Sequence, residues 1–382
     1  MLEQPIFHYS RKPLPQLSLS QLYSQSEKLS PSFILQNARE TIEHLLIYNA
    51  RRLREFRSLP YLVVLNPSIS ESYDSYLQSM SSLLKASLYT PHTLEENTEF
   101  AEKVLSEFID IHADTLPSLS KGFAEVSNLL HMKQISQFLD RHLKERISMR
   151  LIAHQHIELS RSIASPNFTK GRYNGVVKLL HLPDVIKKNA EVVNDITMMK
   201  YDQSVQVKID TNLKSGNYWS QADPGLEISK DEILNFPYIE YHLDYIFMEL
   251  FKNSFRAQIE NNVSDPVTVT ISTSQKSPRF MEIRIRDKGK GIPQKTLSHI
   301  FDYSFTTYES NEGEAFKTLN VPPEHLGGGH SVAGMGFGLP LAKQYIEVFN
   351  DTVSELNETK GSLTVQTYPR WGTDVYLKTV GQ

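Results

Sequence analysis

The stretch His330 to Phe349, HSVAGMGFGLPLAKQYIEVF, sets Gly334, Gly336 and Gly338 on alternate positions, runs into Leu339 and Pro340, and continues as an amphipathic helix. Glycine permits positive φ and lets another group lie against the main chain, and a helix start just beyond presents unpaired N–H groups suited to an anion. A phosphate-bearing ligand is the first reading. A surface loop has the same composition, so the rest of the chain has to decide.

At 382 residues the chain is longer than one core usually serves, which argues for two domains. With 40% hydrophobic and 22% charged residues it is an ordinary globular chain. A formal net charge of −4 carries no electrostatic footprint for nucleic acid. The absence of cysteine excludes disulfides, thiolate metal sites and a Cys nucleophile. No apolar run reaches the length needed to span a bilayer, so no membrane insertion is expected. The first thirty residues, Ser-rich with Arg11, Lys12 and Lys28, form a poorly defined segment. Glu3, Glu27, Pro5, Pro13 and Pro15 interrupt the acid-free amphipathic helix of an organelle presequence.

From 31 to 175 the pattern is helical. Ile34, Ala38, Ile42, Leu45, Leu46, Asn49 and Leu53 form one stripe, and Phe100, Ala101, Val104, Leu105, Phe108 and Ile111 a second. Ile135, Phe138, Leu139, Leu143, Ile147 and Leu151 form a third, and SLPYLVVLNPSIS and TPHT read as connectors. Such stripes predict an antiparallel four-helix bundle. The pattern breaks in RSIASPNFTKGRYNG, around 161–175, and from 176 to 382 period-2 segments take over: SVQVKID, PVTVTIST, FMEIRIRDKG, GSLTVQTY and TDVYLKTV. Helices at 242–261 and 339–350 fall between them, so this half reads as an α/β layer, and the whole chain as α+β. The polar run 308–333 reads as a lid. The run 350–362, NDTVSELNETKGS, reads as a surface loop.

Four further features flank the glycine loop. In MELFKNSFRA, Glu249 and Asn253 share a helix face, with Lys252 and Arg256 nearby. A carboxylate one turn before a carboxamide offers a general base and a neutral oxygen ligand for Mg²⁺; a solvated polar face has the same pattern. In IRIRDKGKGI, Ile283, Ile285 and Asp287 point to one side, which sets an acceptor at the end of an apolar row. An adenine amine is a suitable donor, and Gly289 and Gly291 would let base and sugar approach; an Asp-initiated turn is the plain alternative. Thr306 and Thr307 could reach phosphate oxygens or cap a helix. Gly372 and Thr373 open a final strand.

A helix with Glu and Asn, a strand ending in Asp-x-Gly-x-Gly, a lid, Gly-x-Gly-x-Gly and a last strand with Gly-Thr follow one another in an order that resembles the GHKL nucleotide-binding fold. There is no G-x-x-x-x-G-K-[ST] loop, and the glycine loop does not follow a strand as a dinucleotide turn would. QISQFLDRHLKERISMRLIAHQHIEL, at 134–159, and RSLPYLVVLNPSI, at 57–69, resemble the mitochondrial kinases of the 2-oxoacid dehydrogenase complexes, as do the boxes ELFKNSFRA, GMGFGLP and WGTDVYLK. The resemblance spans roughly residues 30 to 380 and is strongest to the fungal members of the family.

That resemblance implies a four-helix bundle followed by a GHKL α/β sandwich that binds ATP and Mg²⁺. It implies transfer of the γ-phosphate to a serine of the decarboxylase subunit of the pyruvate dehydrogenase complex, which inactivates it; the branched-chain complex is the alternative substrate. Carried over, Glu249 is the base, Asn253 the Mg²⁺ ligand, and Asp287 the adenine acceptor, with Gly289, Gly291 and Thr373 beside it. Thr306, Thr307, Gly334, Met335, Gly336, Phe337, Gly338 and Leu339 would serve the phosphates and lid, and Arg256 matches an Arg of the family motif. A mitochondrial matrix location, a lipoyl-bearing core as partner, and a homo- or heterodimer are further implications of the resemblance.

Two departures stand out. The place one turn before Glu249, where many pyruvate dehydrogenase kinases carry His, holds Tyr245, with His242 three residues earlier. No counterpart of the long C-terminal tail of some relatives is expected beyond the last strand. A histidine kinase, suggested by HQHIEL at 154–159, and a GHKL ATPase are the other readings. In the first of these a packing role for His154 and His156 competes with phosphoacceptance.

Overall fold

In the computed structural model, residues 2–112, 115–211, 234–274, 280–303, 336–350 and 360–380 are described. They form two compact units, one of Met1–Val176 with Phe301–Pro340 and one of Val177–Ile300 with Leu341–Gln382.

The first unit is helical. Its long helices are α3 (Pro31–Arg57), α5 (Pro67–Leu88) and α9 (Met132–Ala164), with α4 (Tyr61–Val64) as a short link between the first two. Ser-Pro and Asn-Pro start α3 and α5: the Ser30 hydroxyl accepts from Phe33 N–H, the Asn66 Oδ1 from Ser68 and Ile69 N–H, and Pro occupies the first helical position of each. The fourth strip of the bundle is broken into α6 (Leu94–Glu99), a π-helical turn (Phe100–Leu105), α7 (Ser106–Ile111) and α8 (Thr115–Glu125).

Cross-links give the antiparallel sense. Asn49 reaches Tyr76 O while Arg57 reaches Tyr73, Asn37 meets His156 while Arg52 meets Glu145, and Ser79 meets His112 while Ser72 reaches Thr115 O. The first and third stripes are buried throughout. The second departs from expectation: Ile109 is buried and Ile111 only half-buried, because each π hydrogen bond spans one residue more than an α bond and shifts the apolar phase.

The first thirty residues, expected to lack defined structure, carry α1 (Glu3–Ser10) and α2 (Leu19–Glu27). Ile6, Leu22 and Tyr23 bury there. The backbone between the two helices is pinned by Tyr48 Oη to Pro15 O and by Arg51 to Lys12 O, both 2.8 Å. Each helix buries too few residues to show a period, which hides them in the sequence.

The second unit holds a five-stranded mixed sheet in the order β2 (Val207–Thr211), β4 (Val267–Ser274), β5 (Phe280–Arg286), β7 (Gly372–Val380), β6 (Ser362–Tyr368). The β2–β4 pair is parallel and the others are antiparallel. Val267, Val269, Ile271, Met281, Ile283, Ile285, Leu363, Val375 and Leu377 make its buried face, as the period-2 pattern requires. These five strands coincide with the expected segments. A second sheet was not legible: β1 (Val177–His181) pairs antiparallel with β3 (Asn235–Ile239), placing Leu179 opposite Pro237. The run of buried residues from Phe236 to Ile239 hides any alternation.

The helices of this unit are α10 (Leu182–Tyr201), α11 (Glu240–Glu260), the short α12 (Gln294–Leu297) and, from Leu341 onward, α13 (Gly338–Glu347). The loop expected at 350–362 lies largely outside the described residues. Its ends are clasped, since the Asn350 amide donates to Gly361 O and accepts from Gly361 N–H, both at 2.8 Å.

Candidate functional site

Helix α11 has two faces because its sequence repeats at four. Phe247, Phe251 and Phe255 stack along the buried side with ring centroids 6.3 and 5.4 Å apart. The polar residues Glu249, Lys252, Asn253 and Arg256 follow the opposite spacing. Asn253 is exposed, Glu249 and Arg256 are partly buried, and Lys252 is 9% exposed. Lys252 Nζ donates to Glu249 Oε1, and Arg256 Nε donates to Glu260 Oε1.

The rotation of α11 about its axis is set from α10. The Asp244 carboxylate, itself buried, accepts from Asn189 Nδ2 at 2.7 Å and from Lys188 Nζ at 3.1 Å. A buried carboxylate costs stability unless donors satisfy it, so this pair of bonds keys one helix to the other. One turn before Glu249, the Tyr245 ring packs on Tyr345 of α13 at 5.1 Å, and the fully buried His242 packs on the same ring at 4.6 Å.

Asp287 follows the last residue of β5 and is 4% exposed. Its Oδ1 accepts from Gly289 N–H at 2.9 Å and Thr373 N–H at 3.2 Å, and its own N–H donates to Thr373 O at 3.0 Å. Burial raises its pKa to about 6, against the lowering effect of those two N–H donors. With Oδ1 doubly engaged, Oδ2 is the oxygen left to accept a ligand donor.

The glycines around Asp287 serve protein packing. A Cβ on Gly289 would lie 2.9 Å from Ala257 Cβ of α11, and one on Gly291, whose φ is +77°, would lie 2.5 Å from Tyr368 O. One on Gly372, at φ +105°, would lie 2.0 Å from Asp287 O. The spacing Asp-x-Gly-x-Gly therefore lets the turn after β5 seat on α11 and on the β6–β7 hairpin, where Ile292 N–H also donates to Thr367 Oγ1 at 2.8 Å. The approach that the sequence suggested for a base and sugar is made at these two positions by the protein itself.

Of the glycine loop, Gly336 has a φ of +74°, Phe337 is fully buried with its ring 5.7 Å from that of Tyr303, and α13 starts at Gly338, followed by the partly buried Leu339. Thr306, Thr307, Gly334, Met335 and the run 308–333 lie outside the described residues.

No group of three or more His, Cys, Asp or Glu suited to a metal occurs among the described residues. Mg²⁺ does not need one: it retains waters and phosphate oxygens and takes one or two protein oxygens, and the exposed Asn253 amide on the Glu249 face fits that demand. Of the two histidines singled out on α9, His154 is half-buried and His156 is a packing residue. His156 is fully buried with its ring nitrogens 2.8 and 3.0 Å from the Asn37 and Asn97 side-chain oxygens, and burial lowers the pKa of both His154 and His156 to about 3. Sequence reasoning passed over Asp244 and gave Lys252 no role. The three-residue spacing from Glu249 to Lys252 was the available signal.

Residues 16–178 match the sequence profile of the mitochondrial branched-chain alpha-ketoacid dehydrogenase kinase domain, and residues 239–379 match that of the histidine kinase-, DNA gyrase B- and HSP90-like ATPases. The chain is 31% identical over 381 residues to the mitochondrial pyruvate dehydrogenase (acetyl-transferring) kinase 1 of Saccharomyces cerevisiae, covering 100% of this chain and 87% of that protein. It is 24% identical to the mouse isozyme 1 over 88% of this chain and 71% of that protein, and 25% identical to the mouse isozyme 4 over 97% and 82%. No helix among the described residues is long and apolar enough to cross a membrane. A GHKL-type half behind a helical half of the dehydrogenase-kinase type, with a relative at 31% identity across the whole length, makes this chain a member of the mitochondrial 2-oxoacid dehydrogenase kinase family.

Proposed function

We propose that the protein is an ATP-dependent protein serine kinase that phosphorylates the decarboxylase subunit of the pyruvate dehydrogenase complex and so inactivates it. The observation that carries the reading is the two-faced α11, which presents a half-buried Glu249 one turn before an exposed Asn253. In this reading Glu249 takes the proton of the serine hydroxyl as its oxygen bonds the γ-phosphorus and the bond to the ADP oxygen breaks. Asn253 holds Mg²⁺, which neutralises charge on the phosphates. Asp287 Oδ2 accepts from the adenine amine. Phosphoryl transfer demands mainly positioning and charge neutralisation, so this short set suffices. The mitochondrial matrix is the compartment in which such a substrate would be met.

The choice of pyruvate complex follows the names of the full-length relatives, which are pyruvate dehydrogenase kinases. The branched-chain complex is the second reading, favoured by the profile that matches the helical half. The test offers labelled ATP and Mg²⁺ with each decarboxylase subunit in separate tubes. Acid-stable serine label on the pyruvate subunit is expected. Label on the branched-chain subunit alone would move the assignment to that complex, and acid-labile label on the protein itself would replace it with a histidine kinase, against the burial of His156.

A further inference from the structure

We propose that Lys252 is a positioning residue for the transfer step, holding one oxygen of Glu249 so that the other faces the incoming hydroxyl. The proposal rests on the assignment of Glu249 as the base. The geometry is local to α11: Lys252 Nζ donates to Glu249 Oε1 from three residues further along the same face. Both side chains are largely withdrawn from water, 9% and 14% exposed. A surface Glu–Lys pair at this spacing contributes a few tenths of a kcal/mol and is easily exchanged for water, but a withdrawn one has no such exchange and keeps its geometry.

A carboxylate base has two rotatable oxygens, and transfer demands one of them within hydrogen-bond reach of the proton. Something has to fix its rotamer. The neighbour one turn earlier, Tyr245, has its ring directed onto Tyr345 and faces the packing side with His242. One turn later, Asn253 is exposed, and Arg256 is engaged with Glu260. The cation that meets Glu249 is therefore Lys252. Asp244, bound by Asn189 and Lys188, holds the backbone of the helix beneath this pair, so Lys252 acts from a fixed platform.

The test is a steady-state comparison of the full chain with Lys252→Met, Lys252→Arg, Glu249→Gln and the double variant Glu249→Gln/Lys252→Met, together with direct nucleotide binding. Lys252→Met should lower kcat by roughly 100-fold, as a misaimed catalytic group does, with KM for the protein substrate and Kd for ATP within about twofold. Lys252→Arg, which keeps a donor and a charge, should recover most of the rate. The double variant should be no slower than Glu249→Gln alone, because Lys252 acts through Glu249. Full activity in Lys252→Met would overturn the proposal. So would a loss confined to ATP binding, which would make Lys252 a phosphate contact. Should Lys252→Met lose the circular-dichroism signal of the fold, failure of Lys252→Arg to restore kcat in a folded protein would count against the proposal in the same way. Undiminished transfer by Glu249→Gln would sink the base assignment itself, an outcome distinct from a slow Glu249→Gln beside an unaffected Lys252→Met.

Discussion

The helical unit and the nucleotide-type unit both bury charged and titratable groups, and they do so in opposite ways. In the bundle, Arg52 is fully buried between Glu55 at 2.8 Å and Glu145 at 2.5 Å, and His142 sits with Tyr76, Phe56 and Phe138 around it. His112 and His142 are driven below their usual range by burial and by nearby arginines, His112 to about 3. Arg52, His112 and His142 are enclosed, and Glu55 and Glu145 pair with Arg52 from the rim of that core. Around α11 and Asp287 the protein engages Oε1 of the partly buried Glu249 and Oδ1 of the buried Asp287. Sealing of the central cation and rings, complete at Arg52 and His142 and incomplete at Lys252, more than the presence of charge, separates a structural network from one with reactive capacity left over.

That contrast can be broken most directly at Glu249. Glu249→Gln should lower kcat by about 10²–10⁴-fold while ATP binding is retained, measured by single-turnover transfer and equilibrium nucleotide titration. If the contrast holds, removing a charge from the bundle does the reverse. Arg52→Ala removes a fully buried side chain and the cation that Glu145 and Glu55 share, and should cost the helical unit about 3–5 kcal/mol in denaturant unfolding, with the nucleotide affinity of the folded protein unchanged. A smaller effect is expected from Asp287→Asn. Its Oδ1 can still accept from Gly289 and Thr373, so the fold should persist, while the amide presents a donor where an acceptor is required. ATP affinity should fall roughly 10- to 100-fold, a loss of about 1–3 kcal/mol.

Acid sharpens the same comparison, because the two regions link to protons with opposite sign. His112, His154 and His156, near 3 in the fold against 6.5 as the ordinary value, stay neutral while the unfolded chain takes up protons. The unfolded state then binds more protons, and the helical unit loses stability as pH falls below 6.5, by on the order of 1–2 kcal/mol per histidine at pH 5. Asp287 is raised from 3.8 to about 6, so between those values the folded state binds more protons and the second unit is relatively favoured by acid. A protonated Asp287 cannot accept at both oxygens, so ATP affinity should weaken as pH drops through about 6. Urea unfolding at pH 7 and pH 5, followed by probes in each unit, checks the stability claim. A rise in bundle stability on acidification would contradict it.

The legible parts of the fold are those where burial has one period. The α3 and α9 stripes, the five strands of the mixed sheet and the α11 segment with its Glu249–Asn253 face all stand in the residues, because one buried face imposes 3.6 or 2 on the pattern. The parts that were not legible break that condition. The π turn at Phe100–Leu105 shifts its stripe within one helix, α1 and α2 bury too little, and β3 is buried with no alternation. The candidate site divides similarly. Asp287 at the end of an apolar row was visible as a burial problem. That Oδ1 is taken by Gly289 and Thr373, and that Gly289 and Gly291 fit against Ala257 and Tyr368, depends on chain segments up to 86 positions apart.

By itself, then, the amino-acid order determined the class of the two halves, the order of the boxes and the residue types able to do the chemistry, since these follow from local periodicity and from which functional groups exist. The tertiary structure alone decided which of those groups are used up. Whether a carboxylate oxygen is engaged, whether a histidine is sealed in a core, and which cation meets Glu249 are set by long-range packing, which closes some polar groups and leaves others at the edge of water.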